Sequence, residues 1–493
     1  MTFNIKLIKI NEVFYKVETS EKSILAELSD YFKFKIPNSQ FHPLVKRRAW
    51  DGFIRLFDRT NNLIYCGLIN HIREFCKLRC YKLDYEENKN LINENIILEF
   101  IEKLNLPFLL YDYQIQTLIH GINNKRALIL SPTSSGKTSI IYTIIRYFVS
   151  VNDTKVLLIV PVLNLIEQGF KDFETYSKND SSFEVKYNVH KIFSGQDKHT
   201  DKQIIISSWQ SLYKLPKEYF DQFGMVICDE SHLLKSDSLK NILEKCTKAE
   251  YRFGTTGTLD GSKCNSMVIE GLTGPIFKTI TTKNLMDQKK LANLSIQCII
   301  LKHKEENCKR IKKLKYPEEI DFIISEEKRN RFIRNLAISQ KGNSLVLFQY
   351  VKKHGIPLYK AIQKKLQDSG DLNRKVFYVS GITKMEDREL IRNITEQEEN
   401  AIIVASGAVF STGVNIKNLE SIIFASPSKS RIRTLQSIGR VLRVSRSDKA
   451  TLYDIVDDLS YKKHKNFSLK HFLERANIYD SEQFDYEIYQ IDL

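Results

Sequence analysis

The stretch Ser131-Pro132-Thr133-Ser134-Ser135-Gly136-Lys137-Thr138 sets a glycine, a lysine and a hydroxyl side by side behind small polar residues. A polyphosphate needs those groups in that order. Backbone N–H groups of Thr133, Ser134 and Ser135 can line a cradle, and Gly136 lets the chain approach the oxygens. Lys137 can reach the β and γ phosphates, and Thr138 can offer its hydroxyl to Mg²⁺. The pattern departs from G-x-x-x-x-G-K-[ST] at its first position, where Ser131 stands. Farther on, Val226-Ile227-Cys228-Asp229-Glu230-Ser231-His232 ends an apolar run in two adjacent carboxylates. Asp229 is placed to hold Mg²⁺ through water, and Glu230 to orient and polarise a water that attacks the γ phosphate. His232 reads either as a relay toward moving parts or as a plain surface histidine. The expected cofactors are ATP and Mg²⁺.

These groups need elements that hold them at strand ends. The apolar run ALIL (127–130) precedes the phosphate loop and the helical run SIIYTIIRYFV follows it, which sets the phosphates at a helix N-terminus. The runs ALIL, VLLIV (156–160), QIIIS (203–207) and MVICD (225–229) are continuous rather than alternating, as in strands buried on both faces of a parallel sheet. The style recurs in SLVLF (344–348), KVFYVS (375–380), AIIVA (401–405), SIIFA (421–425) and ATLYDIV (450–456). Ahead of both sets, MTFNIKLIKI and EVFYKVET alternate apolar and polar residues like half-buried strands. SILAELSDYFKF reads as an amphipathic helix, GFIRLFD and LIYCGLI as strands, and IILEFIEKLNL as a closing helix. The expected fold class is α/β, with two successive parallel-sheet layers preceded by a small α+β N-terminal domain. The divisions fall at 1–105, 106–290 and 291–493. Within the last, HKEENCKRIKKLKYPEE (303–319) is strongly basic, and its Lys309, Arg310, Lys312, Lys313 and Lys315 read either as a reach over a nucleic-acid track or as a solvated connector, while Lys462, Lys463, Lys465 and Lys470 read as part of an amphipathic helix.

The chain of 493 residues is too long for one core. Its 75 Lys and Arg against 59 Asp and Glu leave a formal charge of +16, which points to a polyanion, nucleic acid first. Eight cysteines include no C-x-x-C pair, so free thiols in a reducing compartment are expected. The opening MTFNIKLIKINEVF has no long apolar region of the signal-peptide kind, and no stretch is apolar enough to span a bilayer. The expected location is the cytoplasm, that of the host if a phage encodes the chain.

With these motifs, residues 110 to 445 resemble superfamily 2 helicases, with the motifs in the family's order. The resemblance implies that the two layers are RecA-like lobes. Tyr113-Gln114 looks like the motif that reads adenine through the Gln amide. Pro161 with Leu165 and Gln168, and Ser208-Trp209-Gln210-Ser211-Leu212, are similar to motifs that touch the nucleic-acid backbone. Gly254-Thr255-Thr256-Gly257-Thr258-Leu259 stands where the family couples hydrolysis to lobe movement, through Thr256, Gly257 and Thr258. Ser411-Thr412-Gly413-Val414-Asn415-Ile416 matches motif V, with Asn415 where Asp is usual. Gln436-Ser437-Ile438-Gly439-Arg440-Val441-Leu442-Arg443 is a Q-x-x-G-R-x-x-R. Its arginines share a helical face, and the resemblance makes Arg443 the finger that stabilises transition-state charge on an ATP held by the other lobe, with Arg440 its neighbour.

WDGFIRLFD, DYQIQTLIHGI, LPKEYFDQFGMVICDESH, ASGAVFSTGVNIKNL and LQSIGRVLR narrow the likeness to the UvsW-type recombination helicases of phages. That family unwinds branched DNA with 3′ to 5′ polarity, migrates Holliday junctions, regresses forks and removes R-loops. It implies DNA as partner, with RNA–DNA hybrids and recombination or single-strand-binding proteins as further candidates. The segment holding Phe41, Lys46, Arg47, Arg48 and Trp50 mixes cations with aromatics. It reads either as a DNA contact or as a solvated basic loop beside a core Trp. Three other functions stay open on the residues alone. They are a duplex translocase that does not separate strands, an RNA helicase, and a binding or annealing module with a vestigial ATPase. The intact Lys137, Asp229, Glu230, Arg440 and Arg443 argue against the last.

Overall fold

The structure is a computed structural model. It describes residues 4–36, 39–86, 91–193, 196–234, 236–259, 262–371, 373–381, 383, 385–407, 418–427 and 449–493. It divides into two compact units, one of Met1–Ser131 with Gly136–Thr279 and one of Pro132–Ser135 with Ile280–Leu493. The motif Ser411–Ile416 and the arginine motif 436–443, hence Gly413, Gln436, Arg440 and Arg443, lie outside the described residues.

The first unit opens with β1 (Asn4–Lys9), β2 (Phe14–Thr19), β3 (Lys33–Lys35), β4 (Phe53–Arg55), β5 (Phe57–Asp58), β6 (Leu63–Tyr65) and β7 (Lys82–Tyr85). Five of them form a mixed sheet in the order β5-β6-β2-β1-β7, in which β1 and β7 run parallel. The other two make an antiparallel ribbon, β3-β4. The sequence pattern carries the first helix through Phe34. The helix stops at Tyr31 instead, because Lys33–Lys35 finds a strand partner in Phe53–Arg55. Likewise LIYCGLI is a strand only to Tyr65, and the helix Ile69–Arg79 follows shortly after it.

A seven-stranded parallel sheet follows, built from β8 (Arg126–Leu130), β9 (Lys155–Val160), β10 (Val189–Ile192), β11 (Ile204–Ser208), β12 (Phe223–Asp229), β13 (Tyr251–Thr256) and β14 (Ile276–Lys278). Its order is β10-β11-β9-β12-β13-β8-β14. The continuous apolar runs are explained by where their side chains go. Leu157, Ile159, Val226 and Cys228 enter one apolar cluster, while Val156, Leu158, Met225 and Ile227 enter another. Both faces are therefore covered. The first of these clusters also contains Ile5, Val17, Leu28, Phe57 and Phe75, so the N-terminal domain and this lobe share one core.

In the second unit β15 (Asn293–Lys302), β16 (Asn343–Phe348), β17 (Val376–Val379), β18 (Ile402–Ser406), β19 (Leu419–Phe424), β20 (Lys449–Asp458) and β21 (Tyr486–Asp492) form a second parallel sheet, β17-β18-β16-β19-β20-β15-β21. The stretch read as a basic connector is helical, over Glu305–Ile311 and Tyr316–Ser325. Of the four lysines expected on one late helix, only Lys470 lies on the helix Phe467–Ser481. Tyr461 and His464 close a short turn ahead of it that carries Lys462 and Lys463, and Lys465 precedes the helix. Two RecA-like lobes behind a small mixed domain are thus the architecture. All eight cysteines are free thiols, seven of them buried. Among the described residues no helix is long and apolar enough to cross a membrane.

A candidate nucleotide site at the strand ends of the first lobe

In an open parallel sheet, ligands bind beyond the carboxyl ends of the strands. Lys137 follows β8, Asp229 ends β12 and Thr256 ends β13, so the order of the sheet gathers residues far apart in the chain. Ser131 N–H donates to the Thr256 carbonyl at 3.0 Å, which ties the start of the loop to β13. The turn Pro132–Ser135 closes on itself, with the Ser135 N–H and hydroxyl donating to the Pro132 carbonyl at 3.2 and 2.6 Å. Ser134 and Gly136 both adopt positive φ, 69° and 77°. At Gly136 a side chain is excluded on a second ground, since a Cβ would lie 2.3 Å from Gln114 Nε2. The helix Lys137–Val151 starts there, with Thr138 in its first turn.

Gln114 is buried on the helix Asp112–Asn124. Its Oε1 accepts the Tyr111 N–H at 2.9 Å, and its Nε2 donates to Ser139 Oγ at 3.2 Å. The amide thus braces the first turn of the phosphate-loop helix.

Lys137 Nζ donates to Glu230 Oε1 at 3.1 Å. Asp229 Oδ1 accepts from the Glu230 N–H at 2.9 Å and from Thr255 Oγ1 at 2.7 Å. Glu230 sits at φ 52°, and this left-handed step turns its carboxylate toward Lys137. Burial raises the Asp229 carboxyl above the usual range, against the pull of Lys137, and the neighbouring Glu230 charge adds to the rise. For Glu230 burial acts in the same direction, but Lys137 and His232 outweigh it and hold the group below the ordinary range. A carboxylate ionised at neutral pH is thereby kept where it can accept from a water. Its Oε2 is buried without a well-directed hydrogen bond. His232 Nδ1 lies 3.2 Å from that oxygen and 3.0 Å from Thr256 Oγ1. Thr256 Oγ1 in turn donates to the Thr258 carbonyl at 3.0 Å. One imidazole therefore stands between Glu230 and the segment Thr256–Gly257–Thr258. Thr255 escaped the sequence reading as a partner of Asp229; only the pairing of β12 with β13 sets the two side by side.

Two adjacent carboxylates with Lys137 beside them are short of positive charge, which suits a divalent cation. Among the described residues no group of three or more His, Cys, Asp or Glu could hold a metal by itself. Mg²⁺ is commonly held by one or two carboxylates together with substrate phosphates.

The residues read as nucleic-acid contacts fall into two groups. Pro161 follows β9 and Trp209 and Gln210 follow β11, its neighbour, so the two loops adjoin. Gln210 Nε2 donates to the Pro161 carbonyl at 3.4 Å. Gln168 is exposed on the helix Leu163–Tyr176, and Trp209 packs partly against the core. The second group sits between β3 and β4. There Lys46, Arg47 and Arg48 are exposed, and no carboxylate among the described residues lies within ion-pair distance of them. Trp50 is committed inward. Its Nε1 donates to the Phe53 carbonyl at 3.0 Å and its ring meets His42 edge-on. The exposed aromatic of this segment is Phe41, at 67%.

Three family models match the chain: "DNA helicase UvsW, N-terminal" over 4–86, "Type III restriction enzyme, res subunit" over 91–261 and "Helicase conserved C-terminal domain" over 327–445. The chain is 34% identical to the ATP-dependent DNA helicase uvsW of Enterobacteria phage T4, across 96% of its own length and 97% of that protein's. It is 24% identical to the DNA 3′-5′ translocase XPB2 of Sulfurisphaera tokodaii, over 77% of its length and 89% of the other's. The crystal structure of T4 UvsW superposes with a TM-score of 0.53 at 32% identity, covering 99% of both chains.

Proposed function

The chain belongs to the UvsW type of superfamily 2 DNA helicases, and from that premise we propose that this ATP-dependent DNA helicase acts on branched DNA: regressing forks, migrating Holliday junctions and unwinding R-loops, with 3′ to 5′ polarity. The observation that carries the reading is the likeness over nearly the whole chain, the small N-terminal domain included. That domain's exposed cations Lys46, Arg47 and Arg48, next to Phe41, suit a DNA contact outside the lobes, of phosphates and an unstacked base. The working division is 1–105, 106–290 and 291–493, supported by the four sheets, each of which falls within one of these spans.

In the reaction Lys137 binds the β and γ phosphates, against backbone N–H groups of Thr133 to Gly136. Glu230 orients the attacking water and accepts its proton, and His232 passes the change at Glu230 to Thr256. Thr138 and Asp229 are the residues that would hold Mg²⁺, which neutralises charge on the phosphates. Gln114 is assigned to adenine; Gly413 and Gln436 are assigned to the nucleotide, and Arg440 and Arg443 to transition-state charge, from their motifs alone. Pro161, Gln168, Trp209 and Gln210 grip the backbone, so the motor is expected to be sequence-tolerant and salt-sensitive. Recombination or single-strand-binding proteins are the proposed partners, and the cytoplasm, a host's if phage-encoded, the proposed location.

The test compares unwinding of a fork, a Holliday junction, an RNA–DNA hybrid and a simple tailed duplex, with Lys137→Ala as the turnover-dead control that still binds DNA. Branched substrates should be processed at least as well as the tailed duplex. Activity confined to the tailed duplex would remove the branched-DNA assignment, and activity surviving in Lys137→Ala would remove the phosphate-loop assignment.

A further inference from the structure

Two lysine-bearing stretches far apart in the sequence meet in the second unit. Lys309 lies on the helix Glu305–Ile311 and Lys312 caps that helix; three residues apart, they share a face. Lys462 lies in the turn closed by Tyr461 and His464, which follows β20. The ammonium groups of Lys309, Lys312 and Lys462 stand 5.6, 5.7 and 5.6 Å from the centroid of one ring, that of Tyr461. Lys309 also pairs with Glu305 at 2.9 Å, both side chains being largely exposed. Among the described residues no carboxylate lies within ion-pair distance of Lys312 or Lys462.

The assembly is held from below. Tyr461 and His464 exchange backbone hydrogen bonds of 3.0 Å, and Lys462 is fixed at φ 52°. Asn466 accepts the Leu459 N–H at 3.1 Å and donates to the Asp457 carbonyl and to Glu319 Oε1, both at 3.0 Å. Glu319, on the helix Tyr316–Ser325, also accepts the N–H groups of Phe467 and Ser468 at 3.0 and 2.8 Å. Cys308, Ile311, Ile323 and Leu459 form the apolar seat against which Tyr461 packs. One residue before Tyr461 in the chain, Ser460 Oγ is buried and accepts or donates no hydrogen bond. Like charges gathered on a fixed scaffold repel, and the π face of one tyrosine together with the single carboxylate of Glu305, which pairs with Lys309, answers only part of that. An anion bridging the three ammonium groups would answer the rest.

We propose that Lys309, Lys312 and Lys462 around Tyr461, none of them a residue of the helicase motifs, form a cradle for DNA backbone phosphates on the second lobe, at the carboxyl ends of β15 and β20. The inference rests on the DNA-helicase activity and not on the branched-DNA reading, so a failure of either leaves the other standing. Such a contact reads no bases and adds to the electrostatic share of binding.

Affinity for a blunt duplex and for a single strand is measured in the full chain against salt concentration. The triple variant Lys309→Gln, Lys312→Gln, Lys462→Gln should lower the slope of log affinity against log salt by about two to three, roughly one counterion per lost contact. Lys360→Gln, Lys364→Gln, Lys365→Gln, on the helix Ile356–Asp368, removes the same net charge elsewhere in the unit and should leave the slope unchanged. Equal slopes in wild type and both variants, or equal losses in both variants, would overturn the cradle. If the triple variant melts early, Lys312→Gln and Lys462→Gln singly should each lower the slope by about one, and two unchanged slopes would overturn the cradle just the same.

Discussion

At the level of single residues, Lys137, Asp229 and Glu230 are proposed for the reaction on local signals: a lysine after a glycine at a helix start, and two acids at the end of an apolar run. The partners that tune them are not local. Thr255 belongs to another strand, yet its hydroxyl is one of two donors to Asp229 Oδ1, at 2.7 Å. A hydrogen bond to a charged group is worth about 1.5–3 kcal/mol. Thr255→Val should therefore cut ATP turnover roughly ten- to a hundredfold while leaving DNA affinity in the absence of nucleotide at the wild-type level. Steady-state ATPase rates beside equilibrium DNA binding check this; full turnover in the variant would show that Thr255 merely fills space. Trp50 teaches the converse. The most conspicuous aromatic of the N-terminal segment in the sequence spends its N–H on the Phe53 carbonyl, and Phe41 is left as the exposed ring.

Among elements, the strands of both parallel sheets were readable, since burial on two faces leaves an unbroken apolar run. Elements defined by a distant partner were not. Residues Lys33–Lys35 continue a helical pattern and become a strand because Phe53–Arg55 lies beside them. The seam between the N-terminal domain and the first lobe is of the same kind. A Cβ on Gly67 would meet the Glu270 carbonyl oxygen at 1.9 Å, and one on Gly271 the Tyr65 ring at 2.8 Å. Around these glycines Tyr65 donates to Glu244 at 2.5 Å, and Arg126 donates to the Glu12 carbonyl at 3.1 Å. Overpacking of a tight seam costs about 1–3 kcal/mol. Gly67→Ala should lower stability toward urea by that amount, and a wild-type midpoint would mean that the seam yields freely.

At the scale of the molecule, stability should carry a pH signature from His354. This residue is buried in the helical turn after β16, with Nδ1 3.0 Å from Ser426 Oγ and Nε2 3.2 Å from Asn330 Oδ1. Burial foremost, and then the Arg329 charge against the opposing Asp457, push its pKa down from 6.5 to about 3. The unfolded chain takes up a proton below pH 6.5 that the folded chain refuses. Stability from this group is therefore complete above 6.5 and falls by about 1.4 kcal/mol per pH unit below it, until pH nears 3. His354→Asn is expected to be less stable at pH 7, but the gap to wild type should narrow by about 2 kcal/mol on going to pH 5. Urea midpoints at several pH values measure it, and a gap independent of pH would contradict the buried neutral imidazole. The excess of cations was visible from composition, but composition spreads +16 over the whole chain and says nothing of where charge collects.

The amino-acid order alone determined the class of fold and pointed to the chemistry. Phosphate loops, acid pairs and two-faced strands are written in contiguous residues, because a backbone cradle and a buried strand each depend on neighbours in the chain. Only the tertiary structure decided which separate stretches became neighbours: Thr255 with Asp229, His232 with Thr256, the N-terminal sheet with the first lobe, and the lysines of two remote segments with one tyrosine. Those pairings depend on strand order and on packing between distant elements, and neither period nor spacing along a chain encodes them.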